Sequence, residues 1–296
     1  MITPGYQALH EGCALVDLSG RGKIRLSGED RARLLHAMST NHVNGLAVGA
    51  SLYAFFLSAQ GRVLADVYIS NEGESFLLDT EPETRQTLLD HLDKFIIADD
   101  VTLSDETGNL ATLALEGPLA EAVAAQAGVA TSNLGGLRII CPILEKDAII
   151  ARLHAAGVVD ATAADYRLVQ IEQRKPRYGV DFDATKIPQE TQQMHAIHFS
   201  KGCYLGQEIV ERVRSRGLVN RLLVPLLISG EIVPQHDCLI TSGDKPVGKI
   251  TSAAYSPTLG TIVGFGYVLA EILHTKAPLT VGESSAQAVE YLPGNV

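Results

Sequence analysis

Three strand-length runs at residues 52–57, 63–69 and 75–78 are separated only by turn-forming stretches, Gln60-Gly61 and Asn71-Glu72-Gly73. Gaps that short cannot hold a crossover helix, so the three runs must lie as antiparallel neighbours. Upstream, Gly22-Lys23-Ile24-Arg25-Leu26 alternates as a further strand. Ser27 is then placed to cap a helix with Glu29 and Asp30 in its first turn and Leu34, Leu35 and Met38 on its inner face. Downstream, Thr80-Glu81-Pro82-Glu83 reads as a capping box, followed by an apolar stripe of Leu88, Leu89, Leu92, Phe95 and Ile96.

The pattern then recurs in kind. Residues 110–115 and 137–140 read as strands, and residues 118–127 and 147–156 as helices closed by Gly128 and Gly157. Another capped helix starts at Thr162, with Asp165 three residues on, and must end before Pro176. Strands and helices in this order predict an α+β body. Past Asn220 the texture changes to short strands at 222–228, 238–241, 247–251, 262–268, 279–281 and 286–291, with no helix evident among them. That spacing predicts a small closed barrel, with a domain boundary near Gly217.

Charge narrows the function. The chain carries −10 overall, yet residues 1–166 hold 11 basic and 22 acidic side chains, 167–216 hold 9 and 6, and 217–296 hold 4 and 6. An acidic chain is a poor general binder of nucleic acid, because phosphate neutralisation supplies most of that affinity. The basic island between 167 and 216 can still attract a small polyanion. The first twenty residues lack a basic region leading into an apolar one, and the longest uncharged stretch, 250–270, is rich in Gly, Ser and Thr. Neither a secretory signal nor a membrane span is expected. Cys13, Cys141, Cys203 and Cys238 are widely scattered, so free thiols in a reducing cytoplasm are expected, the first, second and fourth as core residues. His195 and His198 stand near Cys203, but their spacing matches no metal-ligand pattern, and no metal is expected.

The most pointed segment is Lys201-Gly202-Cys203-Tyr204-Leu205-Gly206-Gln207-Glu208. A helix starting near Leu205 would bury Ile209, Val210 and Val213 and leave Cys203 at its entrance beside Lys201. A cation and a helix N-terminus both stabilise a thiolate, which makes Cys203 a candidate reactive thiol and Lys201 its activator. A buried cysteine in a glycine turn is the alternative.

This segment resembles the KGCYxGQE signature of the folate-binding YgfZ family, whose mitochondrial relatives act in iron–sulfur cluster maturation. Gly61-Arg62-Val63-Leu64-Ala65-Asp66, Tyr178-Gly179-Val180-Asp181, Ile187-Pro188-Gln189-Glu190 and Val247-Gly248-Lys249-Ile250-Thr251-Ser252 agree, in the expected order, over nearly the whole chain. The resemblance implies a three-lobed fold similar to the glycine cleavage T-protein, with two α+β folate-binding lobes and a C-terminal β-barrel. Mapped onto this chain, the lobes are expected at residues 1–45 with 146–216, at 46–145, and at 217–296.

It further implies a bound tetrahydrofolate or one-carbon derivative. A pterin offers ring N–H donors and a flat face, for which Asp66, Glu190 and Tyr178 are groups of the right type. Glu190 could instead serve its own loop as a cap, and Tyr178 the core. Gln189, Tyr204 and Gln207 join the expected folate contacts, and Arg174, Lys175 and Arg177 are placed for the anionic tail. The expected role is an accessory factor for assembly or repair of iron–sulfur clusters in client enzymes, with Cys203 as its thiol. Any link to tRNA modification would be indirect, through cluster-containing enzymes. The alternative is a folate-dependent aminomethyl transferase of the T-protein type, in which Asp66 would be the acid–base group. Relatives of that type usually carry two adjacent aspartates where this chain has Ala65-Asp66, a departure that argues against it. Whether the chain turns over a substrate at all stays open between these readings.

Overall fold

The computed structural model describes residues 2–217 and 219–290. Helices are α1 Pro4–Glu11, α2 Arg31–Met38, α3 Arg85–Asp93, α4 Ala120–Gln126, α5 Lys146–Ala155, α6 Ala163–Glu172, α7 Pro188–Thr191, α8 Gln207–Arg216 and α9 Ala270–Thr275. The strands β1 Ala14–Asp17, β2 Gly22–Ser27, β3 Ser51–Leu57, β4 Val63–Asn71, β5 Ser75–Thr80 and β6 Thr102–Asp105 come first. They are followed by β7 Leu110–Glu116, β8 Ser132–Asn133, β9 Leu137–Pro142 and β10 Val159–Asp160. Beyond them lie β11 Arg221–Ile228, β12 Leu239–Ser242, β13 Lys245–Ser256, β14 Thr261–Leu269, β15 Leu279–Val281 and β16 Ser284–Ala288.

The chain divides into two compact units, Met1–Tyr166 with His195–Gln207, and Arg167–Met194 with Glu208–Val296. The first unit holds two five-stranded sheets. The meander forms as its short gaps require: β3, β4 and β5 pair antiparallel in a sheet of order β3-β4-β5-β2-β6. One face of that sheet buries Ile24, Leu26, Phe56, Val67 and Leu78 against Leu34, Leu35 and Met38 of α2 and Leu88 and Leu92 of α3. The other sheet has order β10-β1-β7-β9-β8, with β10 parallel to β1 because α5 makes the crossover. Its apolar face packs Leu15, Leu113 and Ile139 on Ala120, Ala124, Ile149 and Leu153. The second unit contains the closed barrel β11-β14-β13-β12-β15-β16, filled by Leu226, Ile240, Ile250, Ile262 and Val268. Two α+β lobes and a C-terminal barrel are therefore present as expected.

Several local expectations are corrected. The sheets do not follow the expected lobe limits: β2 joins β3 to β6, whereas β1 joins β7 to β10, so the division falls between residues 17 and 22 and again between 105 and 110. Ser27 caps nothing, because it is still in β2, paired with Ser75 and Thr102; α2 starts at Arg31. Thr80 likewise ends β5, and its hydroxyl donates to the Asp66 carbonyl at 2.8 Å instead of capping a helix. The barrel region does contain a helix, α9. The last expected strand is shorter than read and its final residue, Tyr291, lies outside the described residues.

The capping box at Thr162 forms in full: the Asp165 carboxylate accepts from the Thr162 N–H at 3.0 Å, and the Thr162 hydroxyl accepts from the Asp165 N–H at 3.1 Å. Among the described residues no helix is long and apolar enough to cross a membrane.

Candidate functional site

Alternation along β4 sends Ala65 and Val67 into the apolar core and Asp66 and Tyr68 to the opposite face. There the register sets Asp66 opposite Phe55 and Tyr68 opposite Tyr53, with Asp79 of β5 beside Tyr68 and Lys23 beside Asp79. This face is charged although buried. Arg21 pairs with Asp79 at 2.5 Å and with Glu81, and Lys23, wholly buried, donates to the carbonyls of Ser19 and Arg21 at 2.9 Å each.

Asp66 is 8 % exposed. Its Oδ2 accepts from the Tyr53 hydroxyl at 3.0 Å, while its Oδ1, also buried, has no hydrogen-bond donor. Burial pushes the carboxyl up to about 6, and the Glu81 carboxylate adds to the rise, against the pull of Arg21 and the Tyr53 hydroxyl. The Tyr53 ring is stacked on His195, centroids 5.2 Å apart and planes 23° from parallel. A poised carboxyl with one vacant acceptor, beside a stacked aromatic pair, fits the N–H donors and flat face of a pterin.

Tyr53 was not singled out in the sequence, and His195 was weighed there only as a metal ligand beside Cys203. Tyr53 shares the Asp66 face only once the β3/β4 register is known. His195 reaches it from a distant part of the chain, held by its carbonyl, which accepts from the Asn41 amide at 3.1 Å.

The same unit carries the loop around Cys203. The His198 N–H donates to the Thr40 carbonyl and the Leu205 N–H to the Ala37 carbonyl, each at 3.0 Å, and the Thr40 hydroxyl donates to the Ala196 carbonyl at 2.6 Å. The loop is thus fastened to the C-terminal end of α2 and the segment after it. Gly206, with φ of +83°, sits so close to the β3–β4 turn that a Cβ there would lie 2.7 Å from the Ser58 carbonyl oxygen.

Lys201 is 5 % exposed. Its ammonium donates to the carbonyls of Ser39, at 2.5 Å, and His36, and lies 5.0 Å from the Tyr204 ring centroid. These carbonyls close the negative end of α2, which has no donors of its own left for them. Lys201 is thereby a pin between loop and helix. Burial brings its amine down to about 8.

Cys203 itself is exposed, which removes the alternative of a buried structural cysteine. Gln207 is a cap: its side-chain oxygen accepts from the Tyr204 N–H at 3.2 Å at the start of α8. Tyr204 is buried. Among the described residues no group of three His, Cys, Asp or Glu is arranged to hold a metal.

The remaining expected contacts belong to the second unit. Glu190 accepts from the Ile187 N–H at 2.9 Å, the capping role weighed for it. Tyr178 is buried and meets Phe182 edge-on at 5.4 Å. Arg174 donates to the Glu290 carbonyl, and the backbone N–H of Arg177 to Asp181 at 2.8 Å. Gln189 donates to the Val210 carbonyl at 2.8 Å, and its buried Oε1 has no donor. Asp181 explains two of the sequence motifs at once: it accepts from Thr251 at 2.9 Å, from Ser252 at 2.6 Å and from Arg167.

Residues 1–138 match the GCVT N-terminal domain, and residues 221–289 match the glycine cleavage T-protein C-terminal barrel domain. Both matches are to domains of the glycine cleavage T-protein. This T-protein-like chain is 28% identical to an aminomethyltransferase of Rubrobacter xylanophilus, over 89% of its own length and 78% of that protein. It is also 28% identical to the iron-sulfur cluster assembly factor IBA57 homolog, mitochondrial, of Mycosarcoma maydis, over 84% of its own length and 70% of that protein. The solved structure of glycine cleavage system aminomethyltransferase T from Bartonella henselae superposes with a TM-score of 0.89 at 19% identity, covering 100% of this chain and 89% of that one. That likeness is one of fold.

Proposed function

We propose that the protein binds tetrahydrofolate or a one-carbon derivative of it and serves as an accessory factor in assembly or repair of iron–sulfur clusters, with Cys203 as the working thiol and the cluster as cargo. The exposure of Cys203 on a loop pinned at both flanks to α2 carries this reading: a thiol that must meet a partner is presented at a fixed place. Further support comes from the KGCYxGQE wording and from the likeness to a cluster assembly factor. The vacant Oδ1 of Asp66 supplies the acceptor a pterin needs. A bound folate would bring a one-carbon carrier to that face; Asp66 would hold its ring N–H groups, with Tyr53 and His195 forming the wall.

A second reading, aminomethyl transfer, is favoured by the several relatives named aminomethyltransferase. Under it Asp66 would take and return the proton, and Cys203 would be incidental.

Calorimetric titration of the reduced protein with tetrahydrofolate, on wild type, Cys203→Ala and Asp66→Asn, separates these. Micromolar binding by the first two and loss in the third supports the folate site; no binding in any removes it. Activity of cluster-dependent enzymes in cells carrying only Cys203→Ala falls under the first reading and is unchanged under the second, which instead requires aminomethyl-lipoyl turnover by the purified protein.

A further inference from the structure

Three imidazoles line the junction between α2 and the Cys203 loop. His36 stands in the last turn of α2, His42 just beyond it, and His198 three residues before Lys201. The rings of His36 and His42 meet edge-on with centroids 4.9 Å apart, and those of His42 and His198 lie 5.2 Å apart at 46°. His36 Nδ1 accepts from the Asn44 N–H at 3.2 Å, and His198 Nδ1 accepts from the Ser200 N–H at 3.3 Å.

Each bond stays on its own side, His36 bracing the stretch after α2 and His198 its own loop, and the His42–His198 ring contact spans the junction. A ring nitrogen that accepts from a backbone N–H must keep its lone pair, so both bonds require neutral imidazole. Protonation would turn each Nδ1 into a donor facing a donor. It would also gather positive charge where the Lys201 ammonium already sits: the charges that weigh most on His36 are Lys201, His42 and His198, all cationic when protonated. Burial and these neighbours hold His36 below the ordinary histidine range, against a hydrogen bond with the Lys201 backbone that favours its charged form. His195 plays no part, its ring being turned onto Tyr53. His42 and His198 are exposed, so protons reach the chain of rings from solvent.

We propose that His36, His42 and His198 form a proton-operated latch, closed when neutral, that holds the Cys203 loop on helix α2 and frees it on acidification. The use of such a latch rests on the reading of Cys203 as the working thiol, but its existence does not. Hydrogen–deuterium exchange of the full chain at pH 7.5 and 5.5, corrected for intrinsic exchange, reads the protection of residues 195–206 directly and involves neither folate nor a cluster.

Wild type is expected to lose protection there about tenfold at the lower pH while the barrel strands keep theirs. The double variant His36→Asn and His198→Asn keeps an acceptor where each Nδ1 stands but cannot charge, and is expected to hold its protection at both pH values. Equal protection of wild type at both pH values overturns the proposal, as does an equal loss in the variant. If that variant does not fold, His42→Gln, at an exposed ring, takes its place with a reduced pH response expected and an unchanged one overturning the latch.

Discussion

The Tyr53 hydroxyl holds one oxygen of Asp66 at 3.0 Å and leaves the other buried without a donor. The carboxyl is thereby aimed but not satisfied, and its desolvation is a standing cost to the folded protein.

That cost is measurable through pH. With its carboxyl raised from 3.8 to about 6, folded Asp66 keeps a proton that the unfolded chain releases between about pH 4 and 6. Stability from this group therefore falls as pH rises through that window. Asp66→Asn escapes the charge and is expected to be more stable than wild type at pH 7.5, on the order of 2 kcal/mol, with the gain shrinking toward pH 4. Urea denaturation at both pH values checks this; a variant less stable than wild type at pH 7.5 contradicts the desolvated carboxyl.

Lys201→Met removes a buried cation from two helix-end carbonyls and is expected to cost about 2 kcal/mol. The same loss is expected in a Cys203→Ser background, since the pin acts on α2. A loss that vanishes without the thiol would mean that Lys201 acts through Cys203.

Two glycines of the same loop should respond differently. Gly206→Ala meets the Ser58 carbonyl at 2.7 Å and the Leu57 Cβ at 2.9 Å, and adds a side chain at positive φ, so a cost above about 2 kcal/mol is expected. Gly202 also has positive φ, but nothing lies within 4 Å of its added Cβ, and Gly202→Ala should cost about 1 kcal/mol. Chemical denaturation of the pair orders them.

Asp181→Ala strands Arg167 and two hydroxyls around a buried site and is expected to cost about 3–5 kcal/mol. Ser252→Ala removes one donor and should cost about 1 kcal/mol. Thermal unfolding of the full chain reads both; equal small shifts would mean that the network is not shared as drawn.

Where local chemistry decides, the sequence was legible. The Gln60-Gly61 and Asn71-Glu72-Gly73 gaps dictated the β3–β5 meander, and Thr162 with Asp165 gave a real cap. Ser27 and Thr80 misled because strand pairing, a non-local choice, claimed residues whose local wording suits a helix start. The site divides the same way. Asp66 and Cys203 stood out by residue type and motif, but Tyr53 becomes a partner of Asp66 only through register, and His195 stacks on Tyr53 only through a long loop return. Lys201 stood out as the cation beside the thiol, and its carbonyl partners at the end of α2 show only in three dimensions.

The path of the chain has a consequence for its biosynthesis. Residues 195–207 belong to the first unit, yet 167–194 before them belong to the second. As the chain leaves the ribosome, the carbonyls of His36 and Ser39 wait for an ammonium encoded some 160 positions later. The half-made protein therefore keeps an open helix end, and the thiol takes its place only when that end is closed. No single proteolytic cut can separate the two units cleanly, since three covalent crossings tie them.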